Sequence, residues 1–139
     1  MAYDPDNIFA RILRGEIPCH RVFEDEHTLA FMDIMPQAEG HTLVVPKAAG
    51  ENIFELPPEA LAATIRSTQR VAKAVRDAFD APGIMIAQLN GAAAGQTVFH
   101  LHFHVVPRYH GKDMRMASGA AADHAVLAEH AARIRARLG

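Results

Sequence analysis

The period of the apolar positions changes several times along this 139-residue chain. Near its start Ile8, Phe9, Ile12 and Leu13 fall at helical spacing behind Asp4-Pro5-Asp6, which can begin a short helix that Gly15 and Pro18 end. Two short strands are expected next, around Arg21–Glu24 and Thr28–Met32, with Glu24-Asp25-Glu26 as the turn of a hairpin. Residues 42–45 read as a buried strand that stops at Pro46. The clearest helix runs from about Pro58 to Phe79. Two prolines and Glu59 open it, and Leu61, Ile65, Thr68, Ala72, Val75 and Phe79 are expected to share its buried face. Asp80-Ala81-Pro82-Gly83 stops it, and a strand over residues 84–89 follows. Asn90 to Gly95 is a small-residue loop, and a second strand is expected from about Thr97 to Val106. The polar stretch after Pro107, to about Gly119, reads as irregular. Asp123 can cap a last helix with Leu127, Ala131, Ile134 and Leu138 as its stripe. The order suggests one α+β domain over residues 1–139, an antiparallel sheet with helices packed on it.

The strand at 97–106 carries the chemistry. In HLHFHVVPR, residues 100–108, three of the chain's nine histidines stand at alternate positions. Side chains alternate between the faces of a strand. His100, His102 and His104 are therefore expected on one face, with Phe99, Leu101, Phe103 and Val105 on the other, against the core. Three readings of the imidazoles stand at this point. They are a solvated or hydrogen-bonded set without chemistry, three ligands of a catalytic metal with an open position, or a nucleophile with its neighbours binding phosphate oxygens. Metal-bound histidines are usually oriented by an acceptor, often a carboxylate. No Asp or Glu lies between Asp80 and Asp113, which weighs slightly against metal. The preceding Gly95-Gln96-Thr97 offers backbone amides, a side-chain amide and a hydroxyl, groups that suit phosphate.

Composition narrows the classes. The formal net charge of −2 leaves no electrostatic footprint for nucleic acid, and no polybasic run suggests an anionic membrane. No apolar run approaches the length of a bilayer span. The single cysteine, Cys19, cannot form an intramolecular disulfide or a Cys-rich zinc module. The N-terminus is acidic before it is apolar and does not resemble a signal peptide. A cytoplasmic protein is expected.

GQTVFHLHFHVVPR, residues 95–108, resembles the signature of the histidine triad (HIT) superfamily, in which three histidines alternate with apolar residues and two apolar residues follow. The blocks RGEIP, LAFMDI, PQAEGH and LVVPK of residues 8–47 are similar to that family's N-terminal half. The resemblance implies a fold of about five antiparallel strands under one long helix, with short helices at either end. It also implies a nucleotide hydrolase that works through a covalent nucleotidyl-histidine.

On that resemblance His102 would be the nucleophile, attacking the α-phosphorus of a purine nucleotide phosphoramidate or a dinucleoside polyphosphate. A backbone carbonyl on its own strand would hold its Nδ1 proton. His104 would donate to phosphate oxygens or the leaving group, with His100 and His41 behind the nucleophile. Asp33 would hold the ribose hydroxyls, and Ile34 and Phe9 would lie near the base. Asn90, Gly95, Gln96 and Thr97 would complete the nucleotide site. No metal or cofactor would be required, although the reading leaves room for Mg²⁺ on a polyphosphate. The partner would be an AMP-type nucleotide, and the assembly a homodimer across the long helix and a sheet edge. A binding or scaffold protein with residual hydrolysis, and a hydrolase using the three histidines as metal ligands, are the alternatives. The chain also departs from the family. Where many bacterial members have a zinc-binding Cys-x-x-Cys, it has Asn7 and Ala10, and Ala48-Ala49-Gly50 follows Lys47 where the ligand histidine would stand. It has no tryptophan, and VVPRYHGKD is closer to the fragile histidine triad branch. The third histidine argues against a uridylyltransferase.

Overall fold

The structure is a computed structural model that describes residues 2–113 and 121–139. Its order is α1 (Ile8–Leu13), β1 (Arg21–Glu24), β2 (Thr28–Met32), β3 (Thr42–Pro46), α2 (Pro58–Phe79), β4 (Gly83–Ala87), β5 (Phe103–Arg108) and α3 (His124–Arg135). The five strands form one antiparallel sheet in the order β1-β2-β3-β5-β4. The expected α+β architecture is therefore present. The expected irregular stretch after Pro107 falls partly outside the described residues, and its first residue, Arg108, belongs to β5.

Both faces of the central strands are covered, so β2 and β3 are buried at every position. One face carries Ala30, Met32, Val44, Phe103 and Val105 against Val71, Val75 and Phe79 of α2 and Leu127, Ala131 and Ile134 of α3. The other carries Leu29, Phe31, Leu43 and Val45 against Phe9 of α1. The period-2 alternation of β2 and β3 thus feeds two cores rather than one core and solvent.

Three expectations are corrected. First, α1 starts behind Asn7 rather than Asp4-Pro5-Asp6, because the Asn7 side chain accepts the Ala10 N–H. Second, the buried face of α2 is rotated from the expected stripe. It runs through Thr64, Ser67, Thr68, Val71, Ala74, Val75 and Phe79, while Ile65 is 45% exposed. Polar residues can face the core because the hydroxyls of Thr64 and Thr68 donate back to the carbonyls of Ala60 and Thr64. The hydroxyls of Thr28 and Ser67 bond to each other, 2.7 Å apart. Third, β5 begins at Phe103, not Thr97, so His100 and His102 lie just before the strand and only His104 lies on it. Leu138 likewise falls beyond the end of α3.

Candidate active site

Four imidazoles converge where β5 begins, on the α1 side of the sheet. His104 is paired in register with Leu43 of β3 and Ala87 of β4. Leu43 belongs to the core under α1, which puts His104 on that face. The His102 and His104 ring centroids are 4.9 Å apart. Phe9 meets the His102 ring edge-on at 4.8 Å. His100 does not extend this row. Its ring is fully buried between the Pro46 carbonyl and Tyr3. The residues before Phe103 lie outside the sheet ladder, yet Leu101, Phe103 and Val105 share the core against α2 and α3 as expected, while His102 and His104 sit together on the α1 side.

Hydrogen bonds to groups of fixed polarity settle each tautomer. The His100 carbonyl can only accept, so the His102 Nδ1 that lies 2.7 Å away carries the proton. The lone pair of His102 is therefore on Nε2. The Gln37 N–H donates to His41 Nδ1 at 3.0 Å, so His41 carries its proton on Nε2. That Nε2–H donates to His104 Nδ1 at 3.0 Å, leaving the His104 proton on its own Nε2. Pro46 O accepts from His100 Nε2 at 2.8 Å.

Burial keeps all four rings neutral. Burial is the largest cause lowering the His102 pKa to about 4; the bond to the His100 carbonyl opposes it, and His104 and His100 add to it. His41 is lowered to about 3, first by burial and then by His104 and His102. Burial also lowers His100, against the favourable Pro46 bond, and lowers His104.

Asp33 follows β2, where its Oδ1 accepts the Met35 N–H and its Oδ2 lies 3.5 Å from His41 Nε2. Burial raises its pKa. Asp33, His41 and His104 offer ligand atoms within 4.8 Å of one another. The hydrogen bonds do not suit a cation there. The Gln37 amide occupies Nδ1 of His41, so a metal on Nε2 would have to displace the proton held by His104. The same two histidines form a directed donor chain as they stand.

The loop before the histidines is arranged differently from the sequence expectation. The Gln96 side chain is buried and points into the protein. Its Nε2 donates to Glu51 O and Val98 O, and its Oε1 accepts the Gly91 N–H. The amides of Gly95 and Gln96 donate to Ala92 O and Gly91 O within the loop. Gly95 has φ +100°, which an L side chain rarely adopts. Neither residue therefore presents the groups expected to face phosphate; they brace the loop. Asn90 is likewise engaged, accepting from Ile53 N–H and bonding to Gln88 in both directions. Thr97 is exposed. Ile34 is 46% exposed, and its carbonyl accepts the Ala122 N–H from the segment leading into α3. Sequence reasoning missed Tyr3, Gln37 and Gln88. Nothing in their local pattern marks them, because Gln37 acts through its backbone and Tyr3 meets a residue 97 positions away.

The HIT domain family model matches residues 14–111. The chain belongs to the HIT family. The structure superposes on that of a HIT-like protein from Bartonella henselae with a TM-score of 0.95 and 48% identity, covering 99% of this chain and 100% of that one. Among curated HIT relatives, the adenylylsulfatase HINT3 of Arabidopsis thaliana is 37% identical over 103 residues, 74% of this chain and 52% of that protein. The adenosine 5′-monophosphoramidase HNT1 of Saccharomyces cerevisiae is 38% identical over 102 residues, 73% of this chain and 61% of that protein. In this HIT protein the Asn7 Oδ1 accepts the Ala10 N–H at 2.9 Å and caps α1.

Proposed function

We propose that this HIT protein hydrolyses purine nucleotide phosphoramidates or dinucleoside polyphosphates at the α-phosphorus, through a nucleotidyl intermediate on His102. The observation that carries the reading is the 2.7 Å bond from His102 Nδ1–H to the His100 carbonyl, which leaves the Nε2 lone pair free in a neutral ring. In the first step Nε2 attacks phosphorus, the P–N bond to His102 forms, and the bond to the leaving group breaks with its electron pair, an amine leaving group taking a proton from water or already carrying it on the substrate. In the second step water attacks phosphorus, its proton passes to solvent, the bond to His102 breaks, and AMP leaves with the ring restored. His104 Nε2–H would donate to a non-bridging oxygen as negative charge develops, the role of a preorganised dipole. Asp33 would accept the ribose hydroxyls, with Phe9 and the exposed Ile34 against the base. The adenosine 5′-monophosphoramidase and the adenylylsulfatase among its relatives support an adenylyl substrate, and the first of them supports the phosphoramidate. This chemistry asks for no metal.

AMP release from adenosine 5′-phosphoramidate, with chelator present, tests the reading. The wild type should release AMP, and His102→Ala should release none while binding AMP within roughly tenfold of the wild type, because the lost group acts mainly in the transition state. Equal loss of binding and turnover, or dependence of the wild type on added metal, would overturn it.

We also infer a homodimer. The outer edge of β4 and the adjoining surface of α2 enclose an apolar groove of about 650 Å³, with Ile65, Ala72, Ile84 and Ile86 on its walls. An open strand edge beside exposed isoleucines suits pairing with a second copy.

A further inference from the structure

We propose that Tyr3 is a positioning residue for His102, acting through His100. The inference rests on His102 being the nucleophile. The carbonyl that holds the His102 proton belongs to the peptide between His100 and Leu101. That peptide lies before β5 and so is not held by the sheet ladder. Two other restraints fix it. The N–H of the same peptide, on Leu101, donates to Gly50 O at 2.9 Å. The His100 ring is pinned at both nitrogens, with Nε2–H to Pro46 O at 2.8 Å and Nδ1 to the Tyr3 hydroxyl at 2.6 Å.

The direction of the Tyr3 bond follows from its neighbour. Pro46 O accepts, so the proton of neutral His100 is on Nε2 and Nδ1 is a bare acceptor. Tyr3 O–H must donate to it. The His100 ring is 1% exposed, and among the described residues no other group donates to that nitrogen. The Tyr3 ring packs edge-on to His100 with centroids 5.8 Å apart, so the contact is shaped as well as bonded.

The N-terminal segment therefore holds the nucleophile from two sides. Phe9 of α1 presses directly on the His102 ring. Tyr3, upstream of the Asn7 cap, holds the place of the His100 ring whose tautomer Pro46 sets, and the His100 carbonyl in turn fixes the tautomer of His102. Without the hydroxyl, Nδ1 of His100 is left unpaired in the interior and the ring must turn or recruit water. Any turn is passed to the carbonyl.

Tyr3→Phe in the full chain keeps the ring and removes the bond. For adenosine 5′-phosphoramidate, kcat should fall about tenfold with KM within about twofold, the pattern of a misplaced group acting in the transition state. Nitrogen-15 NMR of the ring nitrogens supplies a readout that simple loss of stability does not move. In the wild type His100 should be protonated on Nε2 and His102 on Nδ1, and in Tyr3→Phe the His102 signals should shift toward a mixture of tautomers. A kcat within twofold of the wild type, or a wild-type His100 protonated on Nδ1, would overturn the proposal. If Tyr3→Phe does not fold, the wild-type spectrum decides. His102→Ala separates the two readings. Undiminished turnover in that variant removes the nucleophile, while the His100 nitrogen signals still report whether the Tyr3 bond exists.

Discussion

His102 stays neutral well below the usual histidine range because burial penalises its cation more than the His100 carbonyl favours it. Two pH effects of opposite character follow. Initial rates of AMP release should keep an acid limb near pH 4, where the ring finally protonates. Stability should respond at a higher pH than the rate. The unfolded chain binds protons below about 6.5 while the folded rings do not, so stability is full above 6.5 and is lost as the pH falls toward 4 for His102 and toward 3 for His41. His102 alone contributes on the order of 3 kcal/mol to that loss, because each tenfold difference in proton affinity between the folded and unfolded ring is worth about 1.4 kcal/mol. Urea unfolding at a series of pH values measures it, and a flat profile between 7 and 4 would contradict the burial argument. Gly40 makes a second single-residue case. It has φ +84°, and a Cβ there would meet Phe79 at 2.8 Å. Gly40→Ala should therefore destabilise by about 2–4 kcal/mol, from left-handed strain plus overpacking. The histidines and Asp33 were legible in the sequence because their spacing and blocks are distinctive. The orientations of Gln96 and Asn90 were not, since polarity marks what a side chain can bond but not which way it turns.

Among the elements, α2 and β5 show how far pattern reaches. Both ends of α2 were readable, because prolines open it and Asp80 closes it in the left-handed conformation at φ 47°. Its buried face was not, because threonines that bond back to their own helix behave as apolar residues. Thr68→Val should accordingly change stability by less than about 1 kcal/mol, since the Thr64 carbonyl keeps its helical partner. Leu127→Ala on α3 should cost about 2–5 kcal/mol, as it empties a site 1% exposed against α2 and the sheet. Denaturant midpoints of the two variants, compared side by side, check the contrast. The start of β5 was misplaced because the alternation HLHFHV continues smoothly through residues that the ladder does not pair. Apolar alternation records which side is greasy. It does not record whether a neighbouring strand is within reach, and for His100 the neighbour is Tyr3 and the end of β3.

At the scale of the whole molecule, the sheet is closed by α2 and α3 on one face and by α1 on part of the other, and the imidazoles sit beside α1. The order of elements made the α+β class legible, but the second core under α1 was hidden by the shortness of that helix. The open side of the molecule is the β4 edge with its isoleucines. Ile86 is 42% exposed there. Ile86→Lys should convert the inferred dimer to a monomer in sedimentation velocity, and an unchanged sedimentation coefficient would place the two-fold seam elsewhere.

The chain from the Gln37 amide through His41 to His104 holds one proton on each ring. His104 can lend its Nε2–H to an oxygen, but giving it away would leave a buried imidazolate. The leaving group must therefore depart on its own stability or draw its proton from water or from the substrate itself. Across a series of aryl esters of AMP, the rate should fall steeply as the departing phenol becomes more basic. A phosphoramidate must then bring its own proton on the departing nitrogen, whereas an ester or anhydride is favoured by how well its leaving group carries negative charge.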